Sequence, residues 1–166
     1  MKYKIECAKE ESRAEILELY RSQLGREFCP WNEEYPGNDE ISYDLSRDAL
    51  YVMRDDTGRI IAAISWEEDP QVDELACWDP FLQPGGELAR MAVAPDMQNR
   101  GIARKMVKFG LGLLREKGYK SIHFLVNCLN VKALRSYAVF GFREVGECDM
   151  YGQHFICFEK ELEGRI

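Results

Sequence analysis

Leu88-Ala89-Arg90-Met91-Ala92-Val93-Ala94-Pro95-Asp96-Met97-Gln98-Asn99-Arg100-Gly101-Ile102-Ala103 reads as a short buried strand, a proline, a polar turn and a glycine at the mouth of a helix. The helix predicted over Arg100 to Lys117 is the clearest in the chain. Ile102, Ala103, Met106, Val107, Gly110, Leu113 and Leu114 share one face, Arg104, Lys105, Lys108, Arg115 and Lys117 lie mostly on the other, and Gly118 ends it. The first amides of a helix have no partner inside it, and their dipoles sum to a partial positive charge. A phosphate answers both needs. Gly101 removes the side chain that would keep a ligand from the backbone, and Arg100, Arg104 and Lys105 add positive charge at the same point. Many α/β proteins carry such a joint and bind nothing there, so these features alone leave both readings open. The nucleotide P-loop and the dinucleotide fingerprint are both absent.

Working outward, Ser121 to Val126 is a strand, Asn130 to Phe140 a second helix with Asn130 as N-cap and Gly141 as terminator, and Phe142 to Cys148 with His154 to Glu161 a final strand pair. Upstream, Tyr3 to Cys7 is a weak strand. Glu11 to Leu24 is a helix with Ser12 available as N-cap and Gly25 as its end, and Asn38 to Asp48 a short helix buried through Ile41 and Leu45. Leu50 to Met53 and Ile60 to Trp66 flank Asp55-Asp56-Thr57-Gly58, the pattern of a β-hairpin. Residues 67–86, acidic and rich in proline, read as a long loop with at most a helical turn. The succession of elements argues a single α/β domain over 1–166, with a mixed, mostly antiparallel sheet.

The chain's 166 residues, 46% hydrophobic and 31% charged, suit one soluble globular domain. The start has no apolar stretch behind its basic residues, so a signal peptide is not expected, and no run reaches the length of a membrane span. The six cysteines form no C-x-x-C pair and only two histidines are present, so no metal site is expected, and the thiols read as reduced and cytoplasmic. The net charge of -7 argues against nucleic acid as a partner. It is unevenly spread: residues 27–90 carry 16 acids and 4 bases, residues 91–143 carry 2 acids and 10 bases.

Gln98-x-x-Gly101-x-Ala103, preceded by Arg90-Met91-Ala92-Val93-Ala94-Pro95, resembles the Q/R-x-x-G-x-G/A signature of the GNAT superfamily of N-acetyltransferases. Asn130-x-x-Ala133-x-x-x-Tyr137 followed by Gly141-Phe142 is similar to that family's N-x-x-A-x-x-x-Y…G-F segment. The close likeness covers about residues 87–145. It implies a GNAT-like sheet with a parallel strand pair that splays just after Val93, between the strands at 87–93 and 121–126. It also implies acetyl-CoA as co-substrate. The amides of Gln98, Asn99, Arg100, Gly101, Ile102 and Ala103, with Arg104 nearby, would hold the pyrophosphate. The backbone at Met91, Ala92 and Val93 would pair with the pantetheine arm as an added strand, Asn130 would touch the cofactor, and Ala133 would leave it room. Tyr137 would be the general acid for the departing thiolate; without the resemblance it reads as a packing residue. For the base, Glu87 is the first choice and Glu67 and Glu68 follow, while His123 and His154 read as packed or edge residues. The acceptor implied is a primary amine on a small molecule or peptide, and the acidic 27–90 stretch either steers a cationic one or is plain solvated surface. Trp31, Tyr35, Trp66 and Trp78 line its pocket or cover the core. A non-catalytic acyl-CoA sensor, a protein N-terminus or lysine as acceptor, and a longer acyl group stand as alternatives. Monomer and homodimer are both compatible.

Overall fold

In a computed structural model of the chain, residues 2–27 and 29–162 are described. The first expectation met is the hairpin. Leu50–Arg54 (β2) and Ile60–Glu67 (β3) pair antiparallel, with a bulge between Met53 and Arg54. The Asp55 carboxylate accepts from the Thr57 amide, the Thr57 hydroxyl and the Arg59 amide, which closes the turn. Ile60 to Ser65 are buried without alternation, so both faces of β3 are covered. Lys4–Cys7 (β1) adds antiparallel to the other edge of β2.

The chain divides into two compact units. Unit 1, residues 1–67 and 89–110, holds β1, β2, β3, the helices Arg13–Arg21 (α1) and Asn38–Ser46 (α2), and the second half of the strand Gly85–Val93 (β4). It also holds the first part of the helix Ile102–Glu116 (α4). Its core includes Ile16, Tyr20, Ile41, Leu50, Val52, Ile61, Ile102 and Met106. Ser12 is not a side-chain cap for α1: its hydroxyl instead accepts from Arg54 Nη2 at 2.8 Å. Asp44 takes the position on α2 that helical spacing shared between Ile41 and Leu45, and it is fully buried. Its carboxylate receives Arg90 Nη2 at 2.8 Å, Arg47 Nη2 at 2.8 Å and the Ser65 hydroxyl at 2.6 Å, while Arg90 Nη1 lies 2.6 Å from Glu67. Two carboxylates thus meet two guanidiniums, which is how charge is tolerated in a core.

Unit 2, residues 68–88 and 111–166, holds the short helix Pro70–Asp73 (α3), the start of β4, the end of α4, Ser121–Asn127 (β5), Val131–Val139 (α5), Arg143–Met150 (β6) and Gln153–Glu161 (β7). β7 pairs antiparallel with β5 along its length and with β6 through a turn at Tyr151-Gly152, both at positive φ, the handedness a two-residue hairpin loop requires. The stretch expected as loop therefore contains α3 and a 3-10 turn at Pro80–Leu82, each capped by a side-chain oxygen, Asp69 and Asp79 respectively. The six thiols are free, and Cys148 and Cys157 Sγ lie 3.9 Å apart, beside Cys77.

Because β4 runs through both units, the sheet has seven strands in the order β1-β2-β3-β4-β5-β7-β6, mostly antiparallel with one parallel pair. That pair joins Gly85, Gly86 and Glu87 to Ser121, Ile122 and His123 and stops there. The splay placed after Val93 is thus corrected to follow Glu87. The physical reason lies three residues on, where Arg90 adopts a left-handed backbone (φ 50°) that breaks the regular pleat. Gly85 is needed for close approach: a Cβ there would sit 2.7 Å from both His123 Nδ1 and Ser121 Oγ. Gly85→Ala is expected to lower unfolding stability by about 1–3 kcal/mol in a denaturant titration, since the buried ring has no room to yield.

Candidate active site

The turn at the mouth of α4 has the form that would present its amides outward. Asn99 and Gly101 both have positive φ (61° and 78°), flanking Arg100, and residues 99–101 are exposed. Alternation of hand along a turn points successive N–H groups to one side, which makes an anion-binding concavity. The first helical bond across this turn runs from the Lys105 amide to the Gly101 carbonyl at 3.2 Å, so the amides of Gly101 to Ala103 precede the helical ladder. A Cβ built on Gly101 meets nothing within 4 Å, so the space in front of the backbone is open. Pro95–Met97 forms a 3-10 turn fixed at Asp96, which takes both guanidinium nitrogens of Arg59 at 2.7 Å.

The side chain of Gln98 is engaged by the protein itself. Its amide nitrogen donates to the Val93 carbonyl at 3.3 Å and its oxygen accepts from Arg26. Gln23 donates to the same Val93 carbonyl at 2.9 Å. The side chain of Gln98 therefore fastens the turn to the end of β4, leaving its backbone amide as the group for a ligand. The same two bonds occupy the Val93 carbonyl. Glu67, a second choice for the base, is held by Arg90 and lies 3.8 Å from Arg47. Glu68 is exposed. Trp31 is half-buried edge-on to Tyr20, Tyr35 is 43% exposed and Trp66 is half-buried.

In unit 2, Asn130 caps α5: its Oδ1 accepts from the Ala133 amide at 3.2 Å. Tyr137 projects from α5 into Phe124, Phe142 and Phe158, with ring centroids 4.4, 5.9 and 6.3 Å away. Burial among these rings pushes its phenol up to about 12, so it holds its proton throughout the neutral range. The packing reading of this tyrosine is met by these ring contacts.

Glu87 is buried on β4, directly opposite His123 of β5. His123, expected to be a packed residue, is fully buried and stacked on Trp78 at 4.6 Å. Its Nε2 lies 3.0 Å from Asp73 Oδ1. A carboxylate oxygen of Glu87, a ring nitrogen of His123 and a carboxylate oxygen of Asp73 lie within 4.8 Å of one another. This trio escaped sequence reading because its members are far apart in the chain and only the strand register brings them together. Burial lowers His123 to about 4, whereas Asp149 and Glu147 raise the exposed His154 above the ordinary value. Proton NMR should therefore show His154 titrating above, and His123 far below, the usual midpoint of about 6.5. Because the folded value of His123 is depressed, its contribution to stability is complete above about pH 6.5 and is lost as pH falls toward about 4.

Comparison with known proteins follows this geometry. The family model described as "Acetyltransferase (GNAT) family" matches residues 13–142. No curated protein matches the chain. Among solved structures, the chain is similar to an acetyltransferase of the GNAT family from Listeria monocytogenes, with 18% identity over 96% of this chain and 95% of that one and a TM-score of 0.77. It is also similar to yncA from Salmonella typhimurium, solved with its cofactor acetyl-CoA, with 17% identity over 100% and 97% and a TM-score of 0.74. The ribosomal-protein-S18-alanine N-acetyltransferase from Escherichia coli gives 15% identity over 99% and 96% and a TM-score of 0.73. At these identities the likeness is one of fold.

Proposed function

The chain belongs to the GNAT acetyltransferase family, and from that premise we propose that it transfers the acetyl group of acetyl-CoA to a primary amine by direct attack within a ternary complex. The observation that carries this reading is the outward-facing amide turn at Gln98 to Ala103, with Asn99 and Gly101 at positive φ and open space before Gly101. The donor set fits a pyrophosphate: backbone N–H groups at a helix N-terminus, with Arg100, Arg104 and Lys105 adding positive charge. The backbone of Met91, Ala92 and Val93 would be the edge for the pantetheine arm. The Asn130 NH2 group would donate to the cofactor, and the small Ala133 would admit it.

Two side chains divide the proton work. Glu87 takes a proton from the acceptor's alkylammonium before the carbon–nitrogen bond forms, because a protonated alkylamine has no lone pair to attack with. Tyr137 gives its proton to the sulfur as the carbon–sulfur bond breaks. The high affinity of the phenol for its proton means it is present to be given at neutral pH. Acetyl-CoA supplies the activated acyl group; the chain positions it and handles the protons.

Calorimetry with acetyl-CoA, together with a thiol-release screen over polyamines, amino acids and peptides with a free N-terminus, tests the reading. Binding followed by amine-dependent thiol release is the expected result. Absence of heat at millimolar acetyl-CoA sinks the proposal, and binding without turnover across the panel transfers the chain to the class of acyl-CoA sensors.

A further inference from the structure

One row of side chains crosses the sheet of unit 2. The strand register sets Glu87 of β4 against His123 of β5, His123 against Glu159 of β7, and Glu159 against Arg143 of β6. Directly paired residues share a face, so these four lie side by side. Glu87 is 7% exposed, and His123 and Glu159 are wholly buried. The segment from α3 to the 3-10 turn packs on this row. Asp73 meets His123 Nε2, Trp78 stacks on the ring, and the Asp79 amide donates to both Glu159 oxygens at 3.1 and 3.3 Å.

The charges around Glu87 can be taken one by one. His123 is neutral at physiological pH, so it brings no positive charge. Its Nε2 carries the hydrogen, because a carboxylate 3.0 Å away accepts and does not donate. Glu159 is the next ring-width along, with burial raising its affinity for a proton and Arg143 lowering it. Asp73, on α3, brings a further carboxylate to within 4.8 Å of Glu87 and His123. Its side chain is half exposed, and the His123 hydrogen fixes its direction.

We infer that Asp73, held by His123, is a positioning residue for Glu87: its negative charge, fixed within 4.8 Å of the Glu87 carboxylate, strengthens Glu87 as a proton acceptor. A like charge beside a carboxylate disfavours its ionised form and so favours uptake of a proton. The inference rests on the reading of Glu87 as the base. It extends that reading by naming the groups that tune the base.

The test is a 13C NMR titration of glutamate Cδ, with the Glu87 resonance assigned by its loss in Glu87→Gln. Asp73→Asn keeps an oxygen for His123 Nε2 and removes only the charge. The Glu87 midpoint is expected to fall by about one pH unit in Asp73→Asn, to return in Asp73→Glu, and to fall likewise in His123→Leu while His123→Gln, which keeps a donor, stays near wild type. The acidic limb of kcat/KM for the amine found by thiol release should move the same way. A Glu87 midpoint unmoved by Asp73→Asn overturns the inference and leaves the base standing. Glu87→Gln with undiminished acetyl transfer overturns the base and takes the inference with it. Should His123→Leu fail to fold, the Asp73 pair decides alone.

Discussion

Gly101→Glu is expected to weaken acetyl-CoA binding by about a hundredfold or more and to leave the fold in place. The backbone at Gly101 is left-handed (φ 78°), so any side chain there costs about 1–2 kcal/mol. In a chain of this size that lowers the melting temperature by about 2–8 °C. No clash is added, because a Cβ at this position meets nothing within 4 Å. The large effect is electrostatic: a carboxylate is placed where the amides of residues 98–103 would receive a pyrophosphate. Like charges in contact at a site built for one of them cost several kcal/mol, so calorimetry should register a loss of about a hundredfold or more. Gly101→Asn is the control, since asparagine tolerates the left-handed region and carries no charge. It should bind acetyl-CoA within about tenfold of the parent chain. Equal binding by the two variants would show that no phosphate lies at this turn.

Tyr137→Phe should lower kcat by about a hundredfold while KM for acetyl-CoA changes little, in keeping with the loss of a general acid. The substitution deletes one oxygen and keeps the ring against Phe124, Phe142 and Phe158, so the aromatic cluster is preserved. Thermal unfolding should be unchanged or slightly later. Because the phenol sits at about 12, the parent enzyme should show no basic limb from this group below about pH 11. Undiminished kcat in Tyr137→Phe, with normal folding, would assign the residue to packing alone.

Local chemistry made much of the fold legible. The hairpin at Leu50 to Trp66, the α4 pattern, the Asn130 cap and the glycines after α4 and α5 each depend on residues within a few positions of one another. The structure keeps them within a residue or two, whereas α1 ends at Arg21, three residues short of the expected Leu24 and Gly25 stop. The turn at Gln98 to Ala103 was legible for the same reason: its glycine, its basic residues and its helix are contiguous. The Ser12 cap was not, because a hydroxyl that can cap a helix can equally accept from an arginine, and Arg54 lies 42 positions away.

What the sequence determined alone was therefore the class of fold, the family and the atoms of the turn, all carried by short-range pattern. Only the tertiary structure decided that Gln98 and Gln23 share the Val93 carbonyl, that Asp44 and Arg90 neutralise each other inside unit 1, and that Glu87, His123 and Asp73 converge in unit 2. Each of these depends on strand register or on the packing of one element over another. A one-residue slip in register turns every side chain of a strand to the opposite face, and no local pattern of charge or hydropathy carries that information.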